Sequence, residues 1–199
     1  MNNFVKQYLE ESIKVIEKID ILEIEKIANI LSNVRNNGGK LFIFGLGGSS
    51  ANASHACNDF KKICNIETYA PTDNISFLTA VANDEGLENI FSSYLRSSSL
   101  NENDAIMILS VGGGDISKNI SISLIEAIKY SKSVNAKILG IVGRDGGFTA
   151  QNSDACLIIP PLFNNHITPI TESLTSVVLH CLCSCDQLKL IQTKWESTK

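Results

Sequence analysis

Apolar residues recur at helical spacing through the first part of the chain, over residues 3–19 and 22–36. They lie three or four positions apart, which places them on one face of a helix. The members of the two series are Val5, Leu9, Ile13, Ile16 and Ile19, then Ile24, Ile27, Ala28, Leu31 and Val34. The pattern predicts two amphipathic helices joined near Asp20, and the run Asn36-Asn37-Gly38-Gly39 predicts the end of the second.

Short apolar runs bounded by glycine or proline come next, and they are typical of buried strands. Five such runs predict strands, at 41–44, 67–70, 104–110, 136–142 and 155–159. Helical patterns lie between these runs and after the last of them. One begins at Ser49, and the others span 76–81, 85–96, 116–133 and 169–190. Strands that alternate with helices indicate parallel strands joined by right-handed crossovers.

The sequence therefore predicts an α/β fold with an open, doubly wound parallel sheet that helices cover on both faces. We expect one domain over 1–199, with 1–36 as an N-terminal helical segment and 40–190 as the α/β core. Sheets of this kind bind ligands at the carboxyl ends of their strands. Both glycine-rich loops of the chain fall at such strand ends, so we expect the ligand there.

The composition and charge of the chain argue against several classes of function. The chain is 44% hydrophobic and 19% charged, which is ordinary for a folded domain. A net charge of -4 and the lack of a basic run argue against a nucleic-acid partner. No apolar segment reaches the roughly 18 residues of a membrane span, and no signal peptide is recognisable, so we expect a cytoplasmic protein without membrane contact. The six cysteines lack metal-finger spacing, and we expect reduced, mostly buried thiols.

The first glycine loop, 45–48, leads from a strand into a helix. Its glycines permit close approach of a ligand, and the unpaired first-turn amides of the helix suit an anion such as a phosphate. Ser49 and Ser50 add hydroxyl donors. Ser50 stands where a dinucleotide fingerprint needs glycine, and Ala70 ends the second strand instead of an acidic residue, so we expect no nucleotide cofactor. A purely structural turn is the alternative.

Ionisable residues on two helices form a candidate site. His55 and Asp59 lie four positions apart on one helix face, and Glu172 and His180 lie two turns apart on the last helix. Two imidazoles and two carboxylates would suit a divalent cation, and the nitrogen ligands favour zinc over magnesium. A satisfied surface pair without a metal is the alternative.

The second glycine loop, Ser110-Val111-Gly112-Gly113-Gly114-Asp115, also leads from a strand toward a helix. Its glycines free backbone amides for a ligand. Asp115 at a helix start would oppose a bound phosphate and would also serve as an N-cap. From the residues alone, a ligand-binding role for the loop and an N-cap role for Asp115 are both open.

Taken in order, these motifs resemble the sugar-isomerase (SIS) domain family, and within it the phosphoheptose isomerases. The segments that carry the resemblance are Gly45-x-Gly47-Gly48-Ser49, His55-x-x-x-Asp59, Asn83-Asp84-Glu85-Gly86, Ser110-x-Gly112-Gly113-Gly114, Gly143-Arg144-Asp145-Gly146-Gly147 and Thr168-Pro169-x-x-Glu172 with His180. The resemblance implies a three-layer α/β/α sandwich on a five-stranded parallel sheet. It also implies a homotetramer with active sites at subunit interfaces, and zinc as a cofactor.

The activity implied is the interconversion of sedoheptulose 7-phosphate and a D-glycero-D-manno-heptose 7-phosphate through an enediol, on the way to activated heptoses for surface polysaccharides. The resemblance assigns the metal to His55, Asp59, Glu172 and His180. It assigns catalysis to Asp59 or Glu172 as the base and to His180 as the partner acid/base. It assigns substrate binding to Gly48, Ser49, Ser50, Asn83, Asp84, Ser110, Gly112, Gly113 and Asp115.

The chain departs from the family pattern at three points. Asp59 stands where the family has a glutamate, Glu172 where it has a glutamine, and the second loop has lost most of the family's hydroxyl donors. The first loop would then carry more of the phosphate. An isomerase for another sugar phosphate and a non-catalytic sugar-phosphate-binding module are the alternative functions.

Overall fold

The computed structural model describes residues 3–194 and residue 198. The positions 1, 2, 195–197 and 199, which the predicted single domain also includes, lie outside the described residues. Five parallel strands form one sheet in the order β2-β1-β3-β4-β5. The strands are β1 Lys40–Gly45, β2 Glu67–Tyr69, β3 Ala105–Ser110, β4 Lys137–Val142 and β5 Ala155–Ile158. The predicted fold class is confirmed.

Helices cover both faces of the sheet. They are α1 Phe4–Ile16, α2 Ile21–Asn36, α3 Gly48–Lys62, α4 Ile75–Asp84, α5 Ile90–Ser97, α6 Ile122–Ser133, α7 Gly147–Asn152 and α8 Ile167–Ser184. The two N-terminal helices are joined as predicted, because the Asp20 carboxylate caps α2 and accepts from the amide of Leu22 at 2.9 Å. No helix within residues 3–194 combines the length and the apolar character that a membrane span requires.

Side chains alternate between two cores, one on each face of the sheet. Leu41 and Ile43 of β1 point into the core that α2, α3 and α8 cover, whereas Phe42 and Phe44 point into the core under α4, α5 and α6. This is the period of two that a β-strand imposes. Strand order turns back on itself between β1 and β3, so the loops after these two strands lie side by side at the carboxyl edge.

Four predicted elements differ from the structure. Helix α6 begins at Ile122 rather than at 116, because Asp115 and Ile120 exchange two backbone hydrogen bonds and hold the intervening residues in a tight loop. Helix α8 ends at Ser184, six residues before the predicted end. In the stretch predicted as one helix over 85–96, only the part from Ile90 onward is helix α5; a turn and a short 3₁₀ segment precede it, since Gly86 has φ +94. The loop predicted after Gly143 leads into the short helix α7.

The six cysteines form no disulfide among the described residues. Cys57, Cys64 and Cys183 are buried, Cys156 and Cys185 are half-buried and Cys181 is exposed, so burial is less general than the sequence predicts. Burial raises the pKa of Cys57 and of Cys156 to about 12. Thiols of this kind stay protonated and unreactive at neutral pH. Cys57 and Cys156 therefore contribute packing rather than chemistry.

Candidate active site

Helix α3 begins immediately after β1, and glycine makes this close start possible. Gly47 has φ +59, a left-handed conformation that favours glycine. Gly45 lies so near the first turn that a Cβ on it would sit 2.3 Å from the carbonyl oxygen of Ser49. Ser49 is buried, and no hydrogen bond of its hydroxyl is found in the described part of the chain. Ser50, in contrast, donates to the Gly47 carbonyl at 2.7 Å and stabilises the turn.

Three predicted residues meet between α3 and α8. Nε2 of His55 lies 2.8 Å from Nε2 of His180, and Oδ2 of Asp59 lies 3.3 Å from the first and 3.6 Å from the second. The Asp59 side chain is only 14% exposed, whereas the two imidazoles are about half exposed at 52% and 54%. The cluster therefore has a half-buried carboxylate at its base and opens to solvent on its imidazole side.

Packing of α3 on α8 brings the cluster together. The two helices run in the same direction from the carboxyl edge of the sheet and bury Ala53 and Ala56 against the core that contains Leu174 and Val178. Alanine at these positions lets the helices approach closely. Asp59 and His180 consequently face each other although they come from distant parts of the sequence.

The donor set fits a zinc ion. Tetrahedral zinc with nitrogen and oxygen ligands at about 2.1 Å separates neighbouring ligand atoms by about 3.4 Å. The three ligand atoms here are 2.8–3.6 Å apart, and the two imidazoles are about half exposed, so that solvent could supply a fourth ligand. Among the described residues, these three side chains form a group of histidine, cysteine or carboxylate ligands whose ligand atoms lie close enough together to hold one metal ion. His55, Asp59 and His180 could thus hold one metal.

Glu172 lies apart from this cluster. Its carboxylate rests on Gly48 at the start of α3, where a Cβ would lie 2.7 Å from Oε2. Eight residues of helix separate Glu172 from His180, which corresponds to about 12 Å. The structure therefore brings three of the four predicted metal ligands together and places Glu172 beside the first glycine loop.

The second glycine loop packs directly on the loop that follows β4. The Gly113 carbonyl accepts the amide of Thr149 at 2.9 Å and its hydroxyl at 2.7 Å, and the Gly114 carbonyl accepts the amide of Phe148 at 2.9 Å. A Cβ on Gly113, which has φ +67, would lie 1.9 Å from the Gly146 carbonyl oxygen. Ser110 accepts from the amide of Gly113 at 3.1 Å. These residues hold the shape of the loop.

Asp115 does not cap α6, so the N-cap reading is wrong. Its carboxylate accepts from the Ser117 hydroxyl at 2.6 Å and the Lys118 amide at 3.1 Å, and it pairs with the Lys118 ammonium at 3.0 Å. These hydrogen bonds from Ser117 and Lys118 lower the pKa of Asp115 to about 2. The charge of this carboxylate is therefore offset within its own loop.

Asn83 and Asp84 lie in the last turn of α4, where the Asn83 amide donates to the Asp84 carboxylate at 2.7 Å. Among the described residues they bond to each other and not to the cluster.

Two asparagines that sequence reasoning missed support the site. Asn58 donates from Nδ2 to Oδ1 of Asp59 at 3.0 Å, which leaves Oδ2 for the imidazoles. Asn52 donates to the backbone carbonyl of Glu172 at 2.9 Å and ties α3 to α8. Asn58 could have been suspected because it adjoins Asp59, but the contact of Asn52 depends on how the helices pack.

Comparisons with known proteins match the chain to one family. The sequence profile of the SIS domain matches residues 6–143. The chain is 29% identical to a phosphoheptose isomerase of Aneurinibacillus thermoaerophilus, covering the whole of both chains. It is 30% identical to phosphoheptose isomerase 1 of Campylobacter jejuni, covering 92% of this chain and 96% of the relative.

A solved structure is similar as well. The phosphoheptose isomerase of Neisseria gonorrhoeae superposes with a TM-score of 0.80 at 27% sequence identity, covering 92% of this chain and 97% of that one. The likeness extends through α8, which the profile match does not reach. Both halves of the histidine cluster therefore lie within the shared fold.

Proposed function

The chain belongs to the SIS domain family, and within that family we propose that it is a phosphoheptose isomerase. It converts sedoheptulose 7-phosphate, a ketose, into a D-glycero-D-manno-heptose 7-phosphate, an aldose, for the synthesis of activated heptoses. The observation that carries the proposal is the His55–Asp59–His180 cluster, in a chain that matches phosphoheptose isomerases along its full length.

The reaction moves one proton between neighbouring carbons. A base takes the proton from C1 of the ketose, an enediol forms, and the proton returns to C2. A second group moves a proton between the two oxygens. Both tasks need groups within hydrogen-bond reach of the substrate, which a cluster that opens to solvent allows.

Asp59 and His180 are our candidates for this proton transfer, with Glu172 as the alternative base. The Asp59 carboxylate is oriented by Asn58 and faces both imidazoles. Glu172 stands at the other end of the α3–α8 contact and would reach a different part of the sugar. A zinc ion held by His55, Asp59 and His180 would polarise the carbonyl of the substrate.

Substrate binding falls to the carboxyl edge of the sheet in this proposal. Gly48 and Ser49 offer the start of α3, and the free hydroxyl of buried Ser49 is a ready donor. Ser110, Gly112, Gly113 and Asp115 shape the second loop, while Asn83 and Asp84 are assigned to the sugar only by the family resemblance.

We further propose a homotetramer whose subunits complete one another's active sites. Helix α1 exposes an apolar stripe that no described residue covers: Val5, Leu9, Ile13 and Ile16 are 46–68% exposed. A continuous apolar face on a helix favours an interface. The half-exposed imidazoles of His55 and His180 also leave room for a neighbouring subunit. Six free thiols support action in the cytoplasm, where thiols stay reduced.

The decisive experiment is turnover. Purified protein, supplied with zinc, is mixed with sedoheptulose 7-phosphate, and formation of the aldose is followed by nuclear magnetic resonance. Hexose and pentose phosphates are tested in parallel, because preferential conversion of one of them would assign the chain to another substrate. Thermal stabilisation by sugar phosphates without any turnover would indicate a binding module instead.

A further inference from the structure

Two buried thiols meet between the C-terminal ends of α3 and α8. Cys64 follows the end of α3 and is fully buried, and Cys183 lies in the last turn of α8 with 2% of its surface exposed. The Cys64 thiol donates to the backbone carbonyl of Cys183 at 3.8 Å. Because the two residues are 119 positions apart in sequence, only the side-by-side packing of the helices brings them together.

The thiols belong to the same two helices as the histidine cluster. Asp59 precedes Cys64 on α3 by five residues, and His180 precedes Cys183 on α8 by three residues. The thiol pair therefore lies about one helical turn beyond the cluster, on the side away from the carboxyl edge of the sheet. A covalent bond at this point would join the helix that carries His55 to the helix that carries His180.

Cys64 differs from Cys57 and Cys156 in its ionisation. A hydrogen bond from the Cys183 side chain and the nearby Arg35 guanidinium lower the pKa of Cys64 against the opposing effect of burial. Arg35 also donates to the Cys64 carbonyl at 3.3 Å. The hydrogen bond to Cys64 and burial raise the pKa of Cys183. A thiolate-forming sulfur next to a protonated thiol is the arrangement in which oxidation of the first is followed by attack of the second.

The segment 185–191, which follows α8, lies against the residues around Cys64. It contains a turn and otherwise no helix or strand. The buried side chain of Leu188 and a hydrogen bond of 3.0 Å from the Leu190 amide to the Ile63 carbonyl hold it in place. Short irregular segments open locally at a lower free energy than the core does. Hydrogen peroxide, which is little larger than water, could therefore reach the thiols without global unfolding.

We propose that Cys64 and Cys183 form an oxidation site at which hydrogen peroxide generates a disulfide between α3 and α8. The Cys64 sulfur attacks one peroxide oxygen, the O–O bond breaks, and the departing hydroxide leaves as water with the proton of the Cys64 thiol. The Cys183 sulfur then attacks the Cys64 sulfur of this sulfenic acid. The S–O bond breaks, the S–S bond forms, and the hydroxyl leaves as a second water with the proton of the Cys183 thiol.

Overall, two thiols lose two electrons and one peroxide is reduced to two waters. The new bond fastens the two halves of the histidine cluster to each other under oxidising conditions. It also closes a loop whose ends are 119 positions apart, and a crosslink over such a length restricts the unfolded chain strongly. We expect the oxidised protein to have a Tm about 5–15 °C above that of the reduced protein. This expectation holds whether or not the chain is an isomerase.

The test treats the reduced full-length protein with equimolar hydrogen peroxide at neutral pH, then alkylates the remaining thiols and digests the chain without reductant. Free thiols measured after denaturation should fall by two per chain, and a dithiol reductant should restore both the thiols and the lower Tm. The tryptic peptide from Asp145 to Lys189 contains four cysteines. Tandem mass spectrometry therefore has to locate the bond within it, and it should link Cys64 to Cys183.

Cys183→Ser and Cys181→Ser are the matched variants, since both positions lie on α8 and Cys181 is exposed. Cys183→Ser should lose the link and the rise in Tm on oxidation, whereas Cys181→Ser should keep both. If Cys183→Ser does not fold by circular dichroism, the position of the bond in the parent protein decides. A folded parent in which peroxide leaves Cys64 unlinked, or links it to Cys185 instead, would overturn the inference.

Discussion

His55 and His180 face each other with their Nε2 atoms 2.8 Å apart, although 125 residues of sequence separate them. Neither α3 nor α8 carries the site alone. Each contributes an imidazole, and Asp59 beneath them holds the two halves in one cluster. The predictions below test what this arrangement does.

His180→Ala should lower kcat by about 100-fold or more, which is the usual effect of losing a general acid or base. His180 is half exposed, so the fold should persist, as circular dichroism would show. His166→Ala is the matched control, since His166 contacts Glu11 on α1 and lies outside the cluster. Equal activities of the two variants would remove His180 from the mechanism.

Asp59→Asn and Glu172→Gln should separate metal binding from the remainder of the site. Asp59→Asn should weaken zinc binding about 10-fold to 100-fold and lower kcat, because it removes a ligand charge from the cluster. Glu172→Gln should leave zinc binding unchanged, since Glu172 lies beside Gly48. Zinc affinity is measured by competition with a coloured chelator, and kcat at saturating zinc. Loss of zinc from Glu172→Gln would contradict the separation.

Leu9→Glu on the exposed stripe of α1 should dissociate the proposed tetramer. A charge at an exposed position costs the monomer little, whereas in an apolar interface it is unfavourable. Sedimentation velocity would show the smaller species, and turnover should fall with it if subunits complete the sites. Lys14→Glu changes the charge on the same helix outside the stripe and should leave the assembly unchanged. An intact tetramer for Leu9→Glu would place the interface elsewhere.

Glu11→Gln should destabilise the protein at neutral pH and have a smaller effect in acid. Hydrogen bonds from Gln7 and His166 lower the pKa of Glu11 below its ordinary value of 4.5. A lowered carboxyl pKa stabilises the fold above the ordinary value, and this contribution is lost as the pH falls through the lowered value. Tm measured from pH 7 to pH 3 tests this. Glu10→Gln, at an exposed surface pair with Lys6, is the control and should change Tm little.

Gly113→Ala should destabilise the fold by more than about 2 kcal/mol, since the Cβ meets the Gly146 carbonyl and the φ of +67 disfavours alanine. Gly112→Ala is the matched control one residue away, because nothing lies within 4 Å of its Cβ. Urea unfolding of both variants gives the comparison. Similar midpoints would show that the loop contact adapts.

The fold was largely predictable because its signals are local. Buried strands such as 41–44 are short apolar runs, and Asp20 is a strong cap signal between two amphipathic helices. The start of α6 was not predictable, since the backbone pairing of Asp115 with Ile120 leaves no trace in hydrophobic spacing. Glycine at 86 broke a helix that the surrounding pattern favoured.

The candidate site was predictable within each helix and not between them. Spacing of four placed His55 and Asp59 together, and the family resemblance added His180. The same resemblance grouped Glu172 with these residues, whereas eight residues of helix separate it from His180 by about 12 Å. Asn52 gains its significance only from packing, so no sequence pattern singled it out for a site.

The division of the cluster between α3 and α8 has a consequence for protein synthesis. At about 5–20 residues per second, a ribosome needs roughly 6–25 seconds to proceed from His55 to His180. During this interval the growing chain has only the His55 side of the cluster. A product that terminates before α8 would have the first glycine loop and the sheet but lack one imidazole of the candidate metal site. Tight metal binding would therefore distinguish finished chains from truncated ones.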